Sequence, residues 1–293
     1  MDLVYLPQCR DKAARHMRDL MECMRREAQG NLCGVHVSQV KGGKTGLIGI
    51  DISRADIEVR IEAPVTARGT LHPTAILDAV PAAESEFGPA RMRVTSFADT
   101  YAGKMRASLG RRQLRDMFDI AHLFRHEGIT DDLHTTFLVY VVAGKRLPGL
   151  TLSEEWHSRK LPPQRRWDRL MRVPLSPEHM LTANNELRAE CVERITPQVM
   201  KFLLDSHDGV ADPGLIGIPQ AATWPAFLWR MQQRTIFRAK RPREHAWQRW
   251  QLAALGREAY DVAHRATSGF GKGDAPLRKF ATFVSPQRQQ CPC

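Results

Sequence analysis

The sequence predicts an α+β fold, with a small strand-bearing part first and a helical part after it. Two observations predict it. Short stretches of period-two alternation are confined to residues 35–63, behind one amphipathic helix. From Phe97 onward, helix-forming stretches dominate. No internal repeat interrupts that order.

The elements follow in turn. Residues 11–29 carry Ala14, Met17, Met21 and Met24 at spacings of three and four, an amphipathic helix that Gly30 and Asn31 end. Val35–Val40 alternates as a strand, Gly42-Gly43 turns the chain, and Leu47–Ile52 is a second strand. After a turn at Ser53–Asp56, Ile57–Ala63 alternates strictly. Ile57, Val59 and Ile61 share one side, and Glu58, Arg60 and Glu62 the other. Helices are predicted at roughly 98–109, 114–127, 130–145, 185–208, 226–238 and 247–264. Residues 147–180 hold Pro148, Pro162, Pro163, Pro174 and Pro177, which predicts a linker or short helices. The expected division is an α/β core over 1–127, a helical domain over 128–240 and a basic, partly irregular extension over 241–293.

Composition narrows the function classes. The 293 residues suit one large domain or two smaller ones. No apolar run approaches the roughly 18 residues of a membrane span, and the first ten residues lack the order of a signal peptide. The expectation is a cytoplasmic protein with no membrane partner. Its six cysteines are then expected as thiols rather than disulfides, and the terminal Cys291-Pro292-Cys293, with no further Cys/His pair at ligand spacing, reads as a frayed tail rather than a soft-metal site. The formal net charge is +11. From Pro225 to Cys293 the chain holds 13 Lys/Arg against 4 Asp/Glu. Such a block attracts phosphate backbones without sequence preference, or it is simply a solvated basic tail.

Two motifs invite assignments that their context rejects. Lys41-Gly42-Gly43-Lys44-Thr45 resembles a phosphate loop, but Ser38 stands where its first glycine belongs, and the stretch lies between two strands. A hairpin turn is expected there. His122 and His126 stand four apart on a predicted helix, without a third ligand in sequence, and read as a surface pair.

The run from Gly103 to Asp119 carries more. Lys104 and Arg111 lie about two helical turns apart and project from one face. Arg115, Asp116 and Asp119 follow at once. Two cations on one face beside a pair of carboxylates suit a nucleoside triphosphate and its metal. The same residues also read structurally, as helix-capping and mutually paired charges.

The run resembles the GK-x-x-A-x-L-x-R-x-x-x-RD-x-x-D signature of the AbiEii/AbiGii family of nucleotidyltransferase-like toxins. Arg60-Ile61-Glu62 followed by Arg68-Gly69-Thr70 is similar to the family's KVEV…RGT stretch, with the same six-residue step from Glu to Arg. Asp2-Leu3-Val4-Tyr5-Leu6-Pro7 looks like the end of its D-x-D-L-V-Y-L-P segment. Phe202–Ser206 and Pro225–Trp229 resemble its helical part, so the likeness covers about residues 1–235. What the resemblance implies is a nucleotidyltransferase-like mixed-sheet core followed by helices. It implies Mg²⁺-dependent transfer of a nucleotidyl group from an NTP to an RNA acceptor, tRNA ends for some members. It also implies a toxin neutralised by a cognate antitoxin. Asp2 and Glu62 would be metal-site acids, and Lys104, Arg111 and Arg115 would serve the triphosphate side. Asp116 would accept the acceptor hydroxyl's proton or hold Arg115, with Asp119 fixing that geometry. The family's Gly-Gly-Ser/Thr loop and first Asp precede this segment, so the core is expected without its first strand, helix and loop. The alternative reading is a catalytically inactive, truncated member that acts only as an RNA- or protein-binding remnant.

Overall fold

Two small antiparallel sheets precede a stack of helices, as a computed structural model of the chain shows; residues 10–41, 47–63, 69–111, 113–153 and 175–267 are described. The first layer is a helix on a sheet. α1 (Arg10–Asn31) sets Met17, Met21, Met24 and Ala28 on one stripe, because steps of four, three and four return to the same face. Met17 and Met21 are fully buried against Val37 of β1 (His36–Lys41) and Ile50 of β2 (Leu47–Arg54). Each such burial contributes about 1.5–3 kcal/mol.

β2 lies between β1 and β3 (Ile57–Glu62), and both pairings are antiparallel. The register runs from His36 opposite Ser53 to Lys41 opposite Leu47. Sequential antiparallel neighbours are what a hairpin joins, although the Gly42–Gly46 connection itself lies outside the described residues. A Cβ on Gly49 would meet the Ile61 carbonyl oxygen at 2.5 Å, so only glycine lets the end of β3 approach β2 there. The alternating apolar side of β3 is only partly covered. Ile61 packs on the core, but Ile57 and Val59 are exposed, since the stripe of α1 lies over β1 and β2.

A second antiparallel pair, β4 (Ala75–Asp78) with β5 (Arg91–Val94), flanks the short α2 (Pro81–Phe87). Sequence periodicity gave no sign of it. The strands have four residues each, and Ile76, Leu77 and Met92 stay exposed, so no buried face imposes an alternation.

The helical part follows: α3 (Phe97–Arg111), α4 (Leu114–His126), α5 (Asp131–Ala143), α6 (Pro148–Ser153), α7 (Pro177–Glu193), α8 (Pro197–Asp208), two 3₁₀ turns, α9 (Pro225–Lys240) and α10 (Pro242–Thr267). α5 is apolar on nearly every face, so it occupies the centre, with Leu133, Phe137, Leu138 and Val139 fully buried. One core cluster around it runs from Leu71 to Leu255. A smaller one, Leu114 and Met117 with Leu175 and Met180, fastens α4 to α7. The single helix expected over 185–208 is two. Thr196 caps α8 by accepting from the Val199 N–H at 3.2 Å, and Pro197 at the first position cannot continue the helix before it. The Gly269–Gly273 turn and the Cys-Pro-Cys end lie outside the described residues. Cys23, Cys33 and the buried Cys191 are free thiols.

Candidate active site

The Gly103–Asp119 run folds into a corner between two helices. α3 ends at Arg111, Gln113 takes an extended conformation at the start of α4, and the chain reverses. Lys104, two turns back on α3, thereby meets Asp119 on α4. Their Nζ–Oδ2 distance is 2.6 Å. Both side chains are about one-third exposed, so the pair itself adds only about 0–1 kcal/mol. Its consequence is positional, because it fixes an ammonium group at the corner.

Asp116 lies one turn before Asp119 and is buried. Its neighbours Leu114 and Met117 anchor α4 against α7 and draw the carboxylate in with them. Oδ2 makes no hydrogen bond among the described residues. Oδ1 is 3.8 Å from Arg115 Nε, beyond hydrogen-bond reach. Burial pushes the Asp116 carboxyl above the usual carboxylate range, against the pull of Arg111, Arg115 and Lys104. A buried carboxylate with an unpaired oxygen and a raised proton affinity is poised to take a proton. The structural alternative, charges that merely pair with one another, describes Lys104 and Asp119 but leaves Asp116 unsatisfied. Arg111 stands exposed at the end of α3.

A second carboxylate, which sequence reasoning missed, organises the segment at Leu71 and His72 against α3. Asp99, on the first turn of α3, is 3% exposed. Its Oδ1 accepts from the Leu71 N–H and the Tyr140 hydroxyl, both at 2.9 Å. Its Oδ2 accepts from the His72 N–H at 3.0 Å and the Ser96 hydroxyl at 2.9 Å. Burial, with Asp99 alongside, drives the Tyr140 phenol well up. The same segment is held from its other side. Gln220 donates to the Leu71 carbonyl at 3.3 Å, and the Trp224 indole donates to the Gly69 carbonyl at 3.2 Å. Gly69 has φ +85, a left-handed conformation suited to glycine. The Gly69-Thr70-Leu71 part of the family-like stretch is therefore fixed to α3 and to the turn before α9.

Glu62 closes β3 opposite Gly49, partly exposed. No hydrogen bond or ion pair among the described residues joins it to Lys104, Asp116 or Asp119. Asp2 lies outside the described residues. Among the described residues, no three His, Cys, Asp or Glu side chains gather as a metal site. Of the two acids expected to hold a metal, Glu62 alone lies among the described residues, a partly exposed carboxylate whose oxygens suit a hard divalent cation. His122 and His126 stack at 5.8 Å on α4, with Phe118 against His122.

The chain has two likenesses to known proteins. Residues 1–203 match the family described as nucleotidyl transferase AbiEii toxin, type IV TA system. Among solved structures, the chain is similar to MenT4, a nucleotidyltransferase toxin from Mycobacterium tuberculosis H37Rv. The TM-score is 0.52 at 14% identity, over 69% of this chain and 71% of that one. That likeness speaks for the fold. No curated protein matches. No helix among the described residues is long and apolar enough to cross a membrane.

Proposed function

Because this chain belongs to the AbiEii family of nucleotidyltransferase toxins from type IV toxin–antitoxin systems, we propose that it transfers a nucleotidyl group from an NTP to an RNA acceptor through the α3–α4 corner. The observation that carries this reading is the Lys104–Asp119 pair set beside the unsatisfied, buried Asp116. In the proposed reaction an acceptor hydroxyl oxygen attacks the α-phosphorus. The bond from that phosphorus to the bridging oxygen breaks, and pyrophosphate leaves. Asp116 takes the hydroxyl proton, for which its raised proton affinity suits it. Lys104 and Arg111 bind the triphosphate and stabilise the charge that builds on the leaving pyrophosphate. Asp119 holds Lys104 in place, and Arg115 adds a cation at the mouth of the site.

We assign Asp2 and Glu62 as acids for a divalent ion, Mg²⁺ in this reading, which would supply charge neutralisation at the phosphates. The family also implies a cognate antitoxin as partner.

The test is transfer of label from each of the four α-labelled NTPs to total RNA in the presence of Mg²⁺. The expected result is labelled RNA from the wild-type chain and at least about a hundredfold less from Lys104→Ala, of unchanged melting temperature. Label that persists undiminished in Lys104→Ala would remove the corner from the reaction.

A further inference from the structure

On the flank of α3 next to the corner lies a cleft of about 560 Å³, walled by the end of α5 and the turn after it. Arg106, Arg111, Lys145 and Arg146 line it, and no carboxylate does among the described residues. The cleft shares Arg111 with the proposed catalytic corner and nothing else: Lys104, Asp116 and Asp119 are not in its wall. Arg106, Arg111 and Lys145 around one space repel one another, and an unliganded protein ordinarily offsets that with acids.

Arg106 shows the imbalance most directly. Its guanidinium is largely withdrawn from solvent, yet no hydrogen bond or ion pair among the described residues holds it. Burial, with Arg111 beside it, lowers its proton affinity. The fold makes room for it: a Cβ on Gly144 would stand 3.3 Å from Arg106 Nη1. Arg146 is steadied by donating to the Leu150 carbonyl at 3.1 Å. Behind the cleft, Arg230 of α9 donates to the Ala143 carbonyl at 3.4 Å and adds its field to that of Arg106. α9 is the start of the basic quarter of the chain.

We propose that this cleft binds backbone phosphates of the single-stranded RNA acceptor, with Arg106 and Lys145 as the phosphate-binding cations that Arg111 links to the catalytic corner. Naming the acceptor's seat rests on the nucleotidyltransferase reading. A planar guanidinium without a partner matches a phosphodiester's two free oxygens. A cleft that reads charge alone suits an acceptor bound by its backbone. A bound NTP is one chemical alternative for the same cations. It differs in that its triphosphate must reach Lys104, which is not in the cleft wall.

The experiment measures binding alone, on the full chain, so that it is independent of any transfer. A fluorescein-labelled single-stranded RNA oligonucleotide is titrated by anisotropy over a range of salt concentrations, and a fluorescent ATP analogue is titrated in parallel. Wild type is compared with Arg106→Gln, Lys145→Gln and Arg106→Lys. The expected result is RNA affinity about tenfold weaker in Arg106→Gln and Lys145→Gln. The salt slope should become shallower by about 0.7 for each, the change expected when one cation fewer neutralises a single-strand phosphate. Arg106→Lys should recover part of the affinity, and nucleotide affinity should be unchanged throughout. Lys145 is exposed, so its variant keeps the test sound if Arg106→Gln lowers the melting temperature. Weakened nucleotide binding with intact RNA binding would overturn the proposal in favour of a triphosphate seat. Unchanged binding of both would overturn it in favour of an RNA surface elsewhere, the basic C-terminal stretch included. If RNA binding responds as expected while label transfer fails, the cleft stands and the catalytic reading falls.

Discussion

Asp116 is where structure and chemistry conflict most openly. Ionised, it keeps an oxygen in the protein with no donor, a burden of about 1–3 kcal/mol. Its proton affinity in the folded chain is raised by burial. The folded state is therefore favoured below the unfolded carboxyl's titration, and that advantage is lost as pH rises through the folded one. At neutral pH the charge destabilises. Asp116→Asn should thus leave the fold as stable as wild type, or about 1 kcal/mol more stable, while transfer falls by about a hundredfold or more. Thermal melts and label transfer on the same preparation check this. A variant that is destabilised yet active would show Asp116 to be a structural residue.

The run that holds Asp116 stood out in the sequence, and Asp99 did not, for a physical reason. Lys104, Arg111, Asp116 and Asp119 sit on successive helices, where a fixed period converts spacing into a shared face. The pairing of Lys104 with Asp119 in place of Arg115 depends on the angle between α3 and α4, which spacing does not carry. Asp99 is defined by Leu71, His72 and Tyr140, at separations of 27 to 41 residues. Nothing local in the chain marks such a carboxylate as different from any helix-capping acid.

At the scale of elements, the Asp99 network turns an irregular segment into a fixed strap. Four donors satisfy one carboxylate, so removing it leaves the Leu71 and His72 N–H groups and the Tyr140 hydroxyl without their acceptor inside the protein. Asp99→Ala should cost about 3–5 kcal/mol. Denaturant titration measures it, and amide exchange at residues 69–72 should accelerate more than exchange at α10. A loss below about 1 kcal/mol, the worth of a single ordinary hydrogen bond, would mean that Gln220 and Trp224 hold the strap unaided. α7 opens at Pro177 and α10 at Pro242, earlier than the 185 and 247 expected. Six of the described α-helices open on proline, which suits the first helical position because its missing N–H has no partner there. β4 and β5 escaped because exposed four-residue strands leave no pattern of burial to read.

At the scale of the molecule, two of the three buried histidines among the described residues, His134 and His207, weaken the fold in acid. The His134 ring meets the Cys191 carbonyl at 3.3 Å. His207 and His245 each contact the other's carbonyl, with rings stacked at 4.3 Å, and so clasp α8 to α10. Burial holds both His134 and His207 down to about 4. The unfolded chain takes up those protons near 6.5, so it binds more protons than the folded chain between the two values. Stability is therefore present above about pH 6.5 and is lost as pH falls toward 4. Asp116 acts in the opposite sense, one group against two. Lowering pH from about 7 to about 5 should remove about 1–2 kcal/mol per histidine and drop the melting temperature by several degrees. Calorimetry across that range checks it, and a melting temperature that rises instead would show these histidines to be charged in the fold.

The central claim concerns which bond breaks, and one reaction tests it directly. Wild type and Lys104→Ala are incubated with RNA and Mg²⁺, once with α-labelled and once with γ-labelled NTP. The expected result is α-label in RNA, an equal amount of γ-label in free pyrophosphate, and neither product from Lys104→Ala. γ-Label in RNA, or α-label transfer that survives the loss of Lys104, would contradict it.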